Sequence, residues 1–358
     1  MNDGKLVFQD DRASAAFGKF RDRIYGEISA KNQSRFASNS TWLKAIVLLA
    51  IAVVSYSALL VGHYVSESSL LLGLVSGVSI LLFALNASHD AAHGAFSRHP
   101  WINTIVLYIP FCILGVDPEM WRTRHLKSHH KFPNIDHCDA DIDENPFVRL
   151  SPNQPKKPWH RFQHIYAWLL YLVVAFHAAW IQDFNYMKRK RLANIVDWHE
   201  QTPAWTRFLL LKVPHVFVLY VLPLSLMPFI WWKILMGIVI IQGVVSLLFI
   251  LPLIGTHFSS EAVFPEIVSG RVGCSYVTHQ LITSVDWHPF SRFWCGIIGG
   301  LNAHAAHHLF PGVSHRHYFW ISGAIGEFCR ENDLAHNNVG LLKAIQSHFS
   351  FLRFLARN

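Results

Sequence analysis

Apolar residues in this chain gather into runs longer than a soluble core needs. Residues 41–64 are dominated by Leu, Val, Ile and Ala, and residues 69–87 form a second such run. A helix rising 1.5 Å per residue crosses about 30 Å of hydrocarbon in roughly twenty residues, so both runs predict transmembrane spans. The link between them, Val65-Ser-Glu-Ser-Ser69, carries no Lys or Arg. That predicts a short hairpin turning on the non-cytoplasmic side. Residues 208–227 and 230–254 form a second pair around Pro228. His215 falls inside the first member of that pair, where it reads either as a polar contact within the bundle or as a functional group.

Two weaker runs need a decision. Residues 102–116 are short for a span and predict a re-entrant or interfacial helix. Residues 164–181 are long enough to cross, but Gln163, His164, Tyr171 and His177 give them a polar stripe. A crossing there would also separate Lys188-Arg189-Lys190-Arg191 from the basic stretch 122–131, against the positive-inside tendency. This segment is therefore expected to lie in the interface. The predicted fold class is an all-α integral membrane protein with four transmembrane helices, interfacial helices and a cytosolic helical cap. The expected organisation is a cytosolic segment at 1–40, a membrane domain at 41–322 and a helical tail at 323–358. Both termini are placed on the cytoplasmic face.

Composition agrees with the hydropathy. Of 358 residues, 52% are hydrophobic and only 15% charged, where soluble domains run near a quarter charged. The net charge of +8 is read as basic cytoplasmic loops. A nucleic-acid partner is not expected, since no basic patch is interleaved with stacking aromatics in a soluble module. Five cysteines without CxxC spacing read as reduced thiols. The first forty residues are polar, which argues against a cleavable signal peptide.

The candidate chemistry lies in eight histidines gathered at the ends of the apolar runs. They are His89 and His93, then His125, His129 and His130, then His304, His307 and His308. Residues three or four apart share one face of a helix, so each cluster can aim its imidazoles at one point. Imidazole is the commonest biological metal ligand, and eight of them can hold more than one ion. His257, just past the last run, could complete the set or be a histidine hydrogen-bonded at the interface. Asp90 is placed to fix an imidazole tautomer. The acidic run from Asn134 to Asp143 either orients ligands or is a solvated loop. His279, His315 and His317 read as structural or supporting groups. A metal transporter would place such ligands in mid-span, and a haem carrier needs only one or two axial histidines. Neither matches this spacing.

The three clusters resemble the histidine boxes of the membrane-bound fatty-acid desaturase superfamily, which read HxxxH, HxxxHH or HxxHH, and HxxHH or QxxHH. The likeness extends to Leu150-Ser-Pro-Asn-Gln154, Trp159-His-Arg-Phe-Gln-His-Ile-Tyr166, His279-Gln-Leu281, Gly299-Gly-Leu-Asn302 and His307-His-Leu-Phe-Pro311 with Ser314-His315. These segments are similar to bacterial acyl-lipid or linoleoyl-CoA-type desaturases, from about Leu70 to the C terminus. One position departs. Front-end members of that group carry glutamine where this chain has His304, the form found in other desaturases, hydroxylases and related oxidases.

The resemblance implies a di-iron centre held by His89, His93, His125, His129, His130, His257, His304, His307 and His308, with no catalytic group beyond these ligands. Spacing alone leaves zinc, copper and nickel open. It further implies a fatty-acyl desaturase that consumes dioxygen and two electrons. Hydroxylation, acetylenic bond formation, or oxidative decarboxylation to a terminal alkene are the alternatives on the same scaffold. The acyl substrate could be a lipid, a CoA ester, a carrier-protein ester or a free acid. Its headgroup could meet Arg122, Arg124, Lys127 and Lys131, which read equally as membrane-surface anchors. Trp121 and the other tryptophans are expected mainly at the interface. Forty polar residues are too few for a fused haem domain, so the expected electron donor is separate, a ferredoxin or a cytochrome with its reductase. The expected location is a bacterial inner membrane, with the active site on its cytoplasmic face.

Overall fold

The computed structural model describes residues 6–62, 66–142, 146–189, 192–193 and 204–358. Tyr64 and Val65 of the first hairpin, Asp143 of the acidic run, and Lys190 and Arg191 of the basic run lie outside them. The chain is an integral membrane protein, mostly helical, and among the described residues four helices are long and apolar enough to cross a bilayer: Asn39–Val61, Glu67–Ala92, Trp205–Leu226 and Trp231–His257. It divides into two compact units. One comprises Ser38–His125 and Tyr166–Leu251, the other Met1–Ala37, Leu126–Ile165 and Pro252–Asn358.

The first unit holds three spans and most of the fourth. Ser38 caps the first span, its hydroxyl accepting from the Thr41 amide. The spans expose large apolar side chains such as Leu43 (62%) and Val54 (67%). In a bilayer these meet lipid rather than water, so their exposure carries no penalty. Packing between spans uses small and polar residues instead. Gly73 and Gly77, four apart on the second span, face Ile241 and Val245 of the fourth, and a Cβ on Gly77 would lie 3.0 Å from Val245. This is close helix approach through glycine. Lys44 Nζ reaches Asn86 at 2.6 Å, and Tyr56 donates to the Val218 carbonyl.

Both weaker apolar runs are sharply bent. Helices Pro100–Leu114 and Pro118–His129 meet at 114°, and Pro158–Tyr171 and Val174–Arg189 at 84°. At about 1.5 Å per residue no single arm has the length of a span. The first bend turns on Gly115, whose φ of 77° favours glycine. A Cβ there would also strike the ring of His215 at 2.6 Å. His215 donates from Nδ1 to the Ile113 carbonyl at 2.8 Å, so it is a polar contact within the bundle. Asp117 then caps the next helix by accepting from the Glu119 and Met120 amides. Lys212, buried on the third span, donates to the carbonyls of Gly115 and Ala179 and pairs with Asp183 at 2.7 Å. Asp183 also accepts from the Asp117 amide. One buried ion pair thus ties the bend to a span.

In the second unit, helix Arg12–Ala30 buries Phe20, Ile24 and Ile28 against Phe310, Ile321, Ile325 and Phe328. Phe20 and Phe328 stack at 4.6 Å. The tail helix Leu341–Arg357 buries one face, where His348 donates to the Phe258 carbonyl at 2.6 Å. Among the described residues two small sheets accompany the helices, and the hydropathy pattern does not predict them. Val7–Phe8 pairs parallel to Arg271–Val272, which pairs antiparallel to Ile267–Val268. Val285–Trp287 pairs parallel to Asn337–Val339, with Val285 opposite Asn337.

Candidate metal centre

The second span does not end as a regular α-helix. A π turn, Ala84–Ser88, precedes the last helical turn His89–Ala92, and such bulges concentrate at functional sites. His89 and His93 emerge there on one face with buried Asp90 beside them. Each places its Nε2 3.1 Å from Nε2 of His125. His125 lies in a second π turn, Arg124–His129. Its ring is stacked on Trp121, with centroids 4.6 Å apart and planes 17° apart, and Trp121 in turn packs on Phe111 at 4.7 Å. Trp121 therefore supports a histidine rather than simply anchoring the chain at the interface.

The other unit brings six histidines together. Single ring nitrogens of His129, His257, His304 and His308 lie within 4.8 Å of one another, as do those of His130, His307 and His308. The Nε2 of His257 lies 2.7 Å from that of His304 and 3.0 Å from that of His308. His130 and His307 meet through Nε2 at 2.9 Å. These contacts cannot all be hydrogen bonds, because the opposite nitrogens are already committed. Nδ1 of His257 faces the Thr283 carbonyl at 2.7 Å, Nδ1 of His304 the Leu301 carbonyl at 3.1 Å, and Nδ1 of His308 the Gln280 amide oxygen at 2.7 Å. Each partner only accepts, so each Nδ1 carries the proton and each Nε2 is left with a lone pair.

Three lone pairs converging in a buried space repel one another unless a cation sits among them. Protons do not supply that charge. Burial pushes His304 down to about 3, helped by neighbouring His129, and carries His308 well below the usual histidine range. Neutral imidazoles with converging Nε2 atoms are the donor set a first-row transition metal needs. The residues present therefore fit a metal centre.

The acidic run orients a ligand candidate. Asp139, fully buried, faces Nδ1 of His129 with both oxygens at 3.3 Å and is held by the amides of Asn134 and Asp141. Asn134, at φ 58°, donates its side chain to the carbonyls of His257 and Val263. His317 is structural, with Nε2 at 2.9 Å from the Ser34 carbonyl and Nδ1 accepting from Trp320. His279 is buried against Phe8, and burial takes it down to about 3. Of the basic stretch, Arg122 is paired with Glu119 at 2.5 Å and Lys131 lies over the Phe132 ring.

The family model for fatty acid desaturase matches residues 67–340. The chain belongs to the fatty acid desaturase family. This desaturase is 27% identical over 342 residues to an sn-1 linoleoyl-lipid 6-desaturase of Arthrospira platensis, covering 94% of this chain and 91% of the relative. It is 27% identical to the protein of the same name from Synechocystis, covering 89% of each. An acyl-lipid (8-3)-desaturase of Physcomitrium patens is 29% identical over 80% of this chain and 61% of its own length.

Two supporting groups of this desaturase escape the sequence. Gln280 stands beside His279 in a motif, yet its partners are 28 and 150 positions away. Asp286 accepts from the Ala305 amide at 2.8 Å, at the start of the helix His304–Leu309, and pairs with His336 at 2.9 Å. Only the Trp121–His125 contact had a signal to find, since residues four apart share a helix face.

Proposed function

We propose that this desaturase inserts a double bond into the acyl chain of a membrane lipid. The convergence of the unprotonated Nε2 atoms of His257, His304 and His308, whose Nδ1 atoms face the Thr283 carbonyl, the Leu301 carbonyl and Gln280, is the observation that carries the reading. His89, His93, His125, His129, His130, His257, His304, His307 and His308 would hold two iron ions. Bound iron supplies the activation of dioxygen that an unactivated methylene pair requires. The balance is –CH2–CH2– plus dioxygen, two electrons and two protons, giving –CH=CH– and two waters. Burial holds His304 and His308 neutral and keeps bulk water from both and from His257. The carbonyls of Thr283 and Leu301 with Gln280 fix the tautomers of all three, and Asp139 orients His129.

The relatives' names support an acyl-lipid substrate. Electrons come from a separate ferredoxin, or from a cytochrome with its reductase. The site faces the cytoplasm of a bacterial inner membrane, in keeping with hairpin turns that lack positive charge. Lipid and hydrocarbon profiling after expression in a host lacking the gene tests the reading. A new double bond in glycerolipid acyl chains is expected. A hydroxyl, an alkyne or a released alkene as the sole product would overturn desaturation.

A further inference from the structure

The tautomer of His308 is decided by a residue outside every histidine box. Gln280 is fully buried on the helix Tyr276–Thr283. Its Nε2 donates to the His130 carbonyl at 3.2 Å and its Oε1 faces Nδ1 of His308 at 2.7 Å. A backbone carbonyl can only accept, so the NH2 end of the amide must face His130. The oxygen end must then face His308, and Nδ1 of His308 must donate. A flipped amide would set two oxygens against each other in a buried space, at the cost of an unmade buried hydrogen bond. The carbonyl fixes the amide, the amide fixes the proton, and the proton fixes the lone pair. That lone pair is on Nε2, 3.0 Å from Nε2 of His257.

The same helix repeats the device one turn later. The Thr283 carbonyl, three residues beyond Gln280, receives Nδ1 of His257. Tyr276–Thr283 thus orders histidines from the end of the fourth span and from the helix His304–Leu309, and through the His130 carbonyl it touches the second cluster.

We propose that Gln280 is a positioning residue for the metal centre, holding His308 as the Nδ1–H tautomer so that Nε2 is always available as a ligand. This rests on the reading of the histidines as metal ligands. Groups that orient metal-bound histidines typically change metal affinity roughly 10–100-fold when removed. The test is titration of the metal-stripped, detergent-solubilised full chain with Co(II), read by its absorption bands and by metal retained per chain. Q280L is expected to weaken Co(II) binding by roughly 10–100-fold. Q280E, which keeps an acceptor toward Nδ1, is expected to stay nearer wild type than Q280L. A purely structural role predicts the reverse order, because the second oxygen of Glu would oppose the His130 carbonyl whereas Leu would not.

Q280L equal to wild type, or Q280E weaker than Q280L, would overturn the proposal. Should Q280L not accumulate, the isosteric Q280M takes its place. Failure of both apolar variants to reach the membrane, with or without iron in the medium, would show a folding role and overturn it as well. Wild-type protein that takes up no Co(II) would instead overturn the metal reading itself.

Discussion

Trp121 lies flat against His125, ring centroids 4.6 Å apart and planes 17° apart, one helical turn before it in the chain. The stack fixes the plane in which His125 presents Nε2 to His89 and His93. Trp121→Leu should lower product formation about tenfold, the low end for loss of a group that orients a histidine ligand. Trp121→Phe keeps an aromatic face and should retain most activity. Product yield and iron per chain in the two variants check this, and equal loss in both would point to packing alone.

His129→Ala and His308→Ala each remove a nitrogen from the same buried group. Product should vanish while the protein still inserts, since neither histidine lies in a span. Membrane fractionation with lipid analysis reads both properties, and activity in either variant would sink the assignment of both as ligands. Iron in the active wild type should approach two per chain.

The Lys212–Asp183 pair is buried on both sides, at 5% exposure each. Lys212→Met leaves the Asp183 carboxylate without its partner, which in buried pairs costs about 3–5 kcal/mol. Lys212→Met combined with Asp183→Asn should recover part of that loss. Thermal unfolding in detergent measures the difference, and a double variant no better than the single would break the argument.

Acid should destabilise the metal-free protein, and His348 is one identifiable cause. Burial pushes His348 down to about 4 from its ordinary 6.5, against its bond to the Phe258 carbonyl. Between those values the unfolded chain binds the extra proton, so stability rises with pH across that window and is level above it. At about 1.4 kcal/mol per unit, this one group removes roughly 3 kcal/mol by pH 4. His279, taken to about 3, adds a slope of the same sign. His348→Asn retains a donor but not the titration, so its stability should fall less steeply between pH 6.5 and 4 in thermal scans.

Spans and histidine boxes are legible in the sequence because both are local. Twenty apolar residues announce a helix of bilayer length, and spacings of three and four announce a shared face. The supporting groups are not legible, because their partners are remote. Gln280 acquires its role from a histidine 28 residues on and a carbonyl 150 residues back. The acidic run leaves two readings open until the fold buries Asp139 against His129. The strands are two or three residues long, too short for alternation to show. Trp121 reads by residue type as an interfacial anchor, although its four-residue spacing to His125 is visible in the sequence.

The π turns at Ala84–Ser88 and Arg124–His129 have a consequence for how this protein tolerates insertion and deletion. A π turn accommodates one surplus residue in an α-helix, and each residue turns the remainder of the helix by about 100°. The wide turn absorbs that residue, so His89 and His93 keep the heading they would have in a plain α-helix one residue shorter. Excising one residue between Ala84 and Ser88 would leave the span long enough to cross the membrane and every side chain of the box intact. The turn would relax to α geometry and both imidazoles would keep their heading, whereas one residue added there instead would swing them by roughly 100°, giving a well-inserted protein whose histidine phase is wrong.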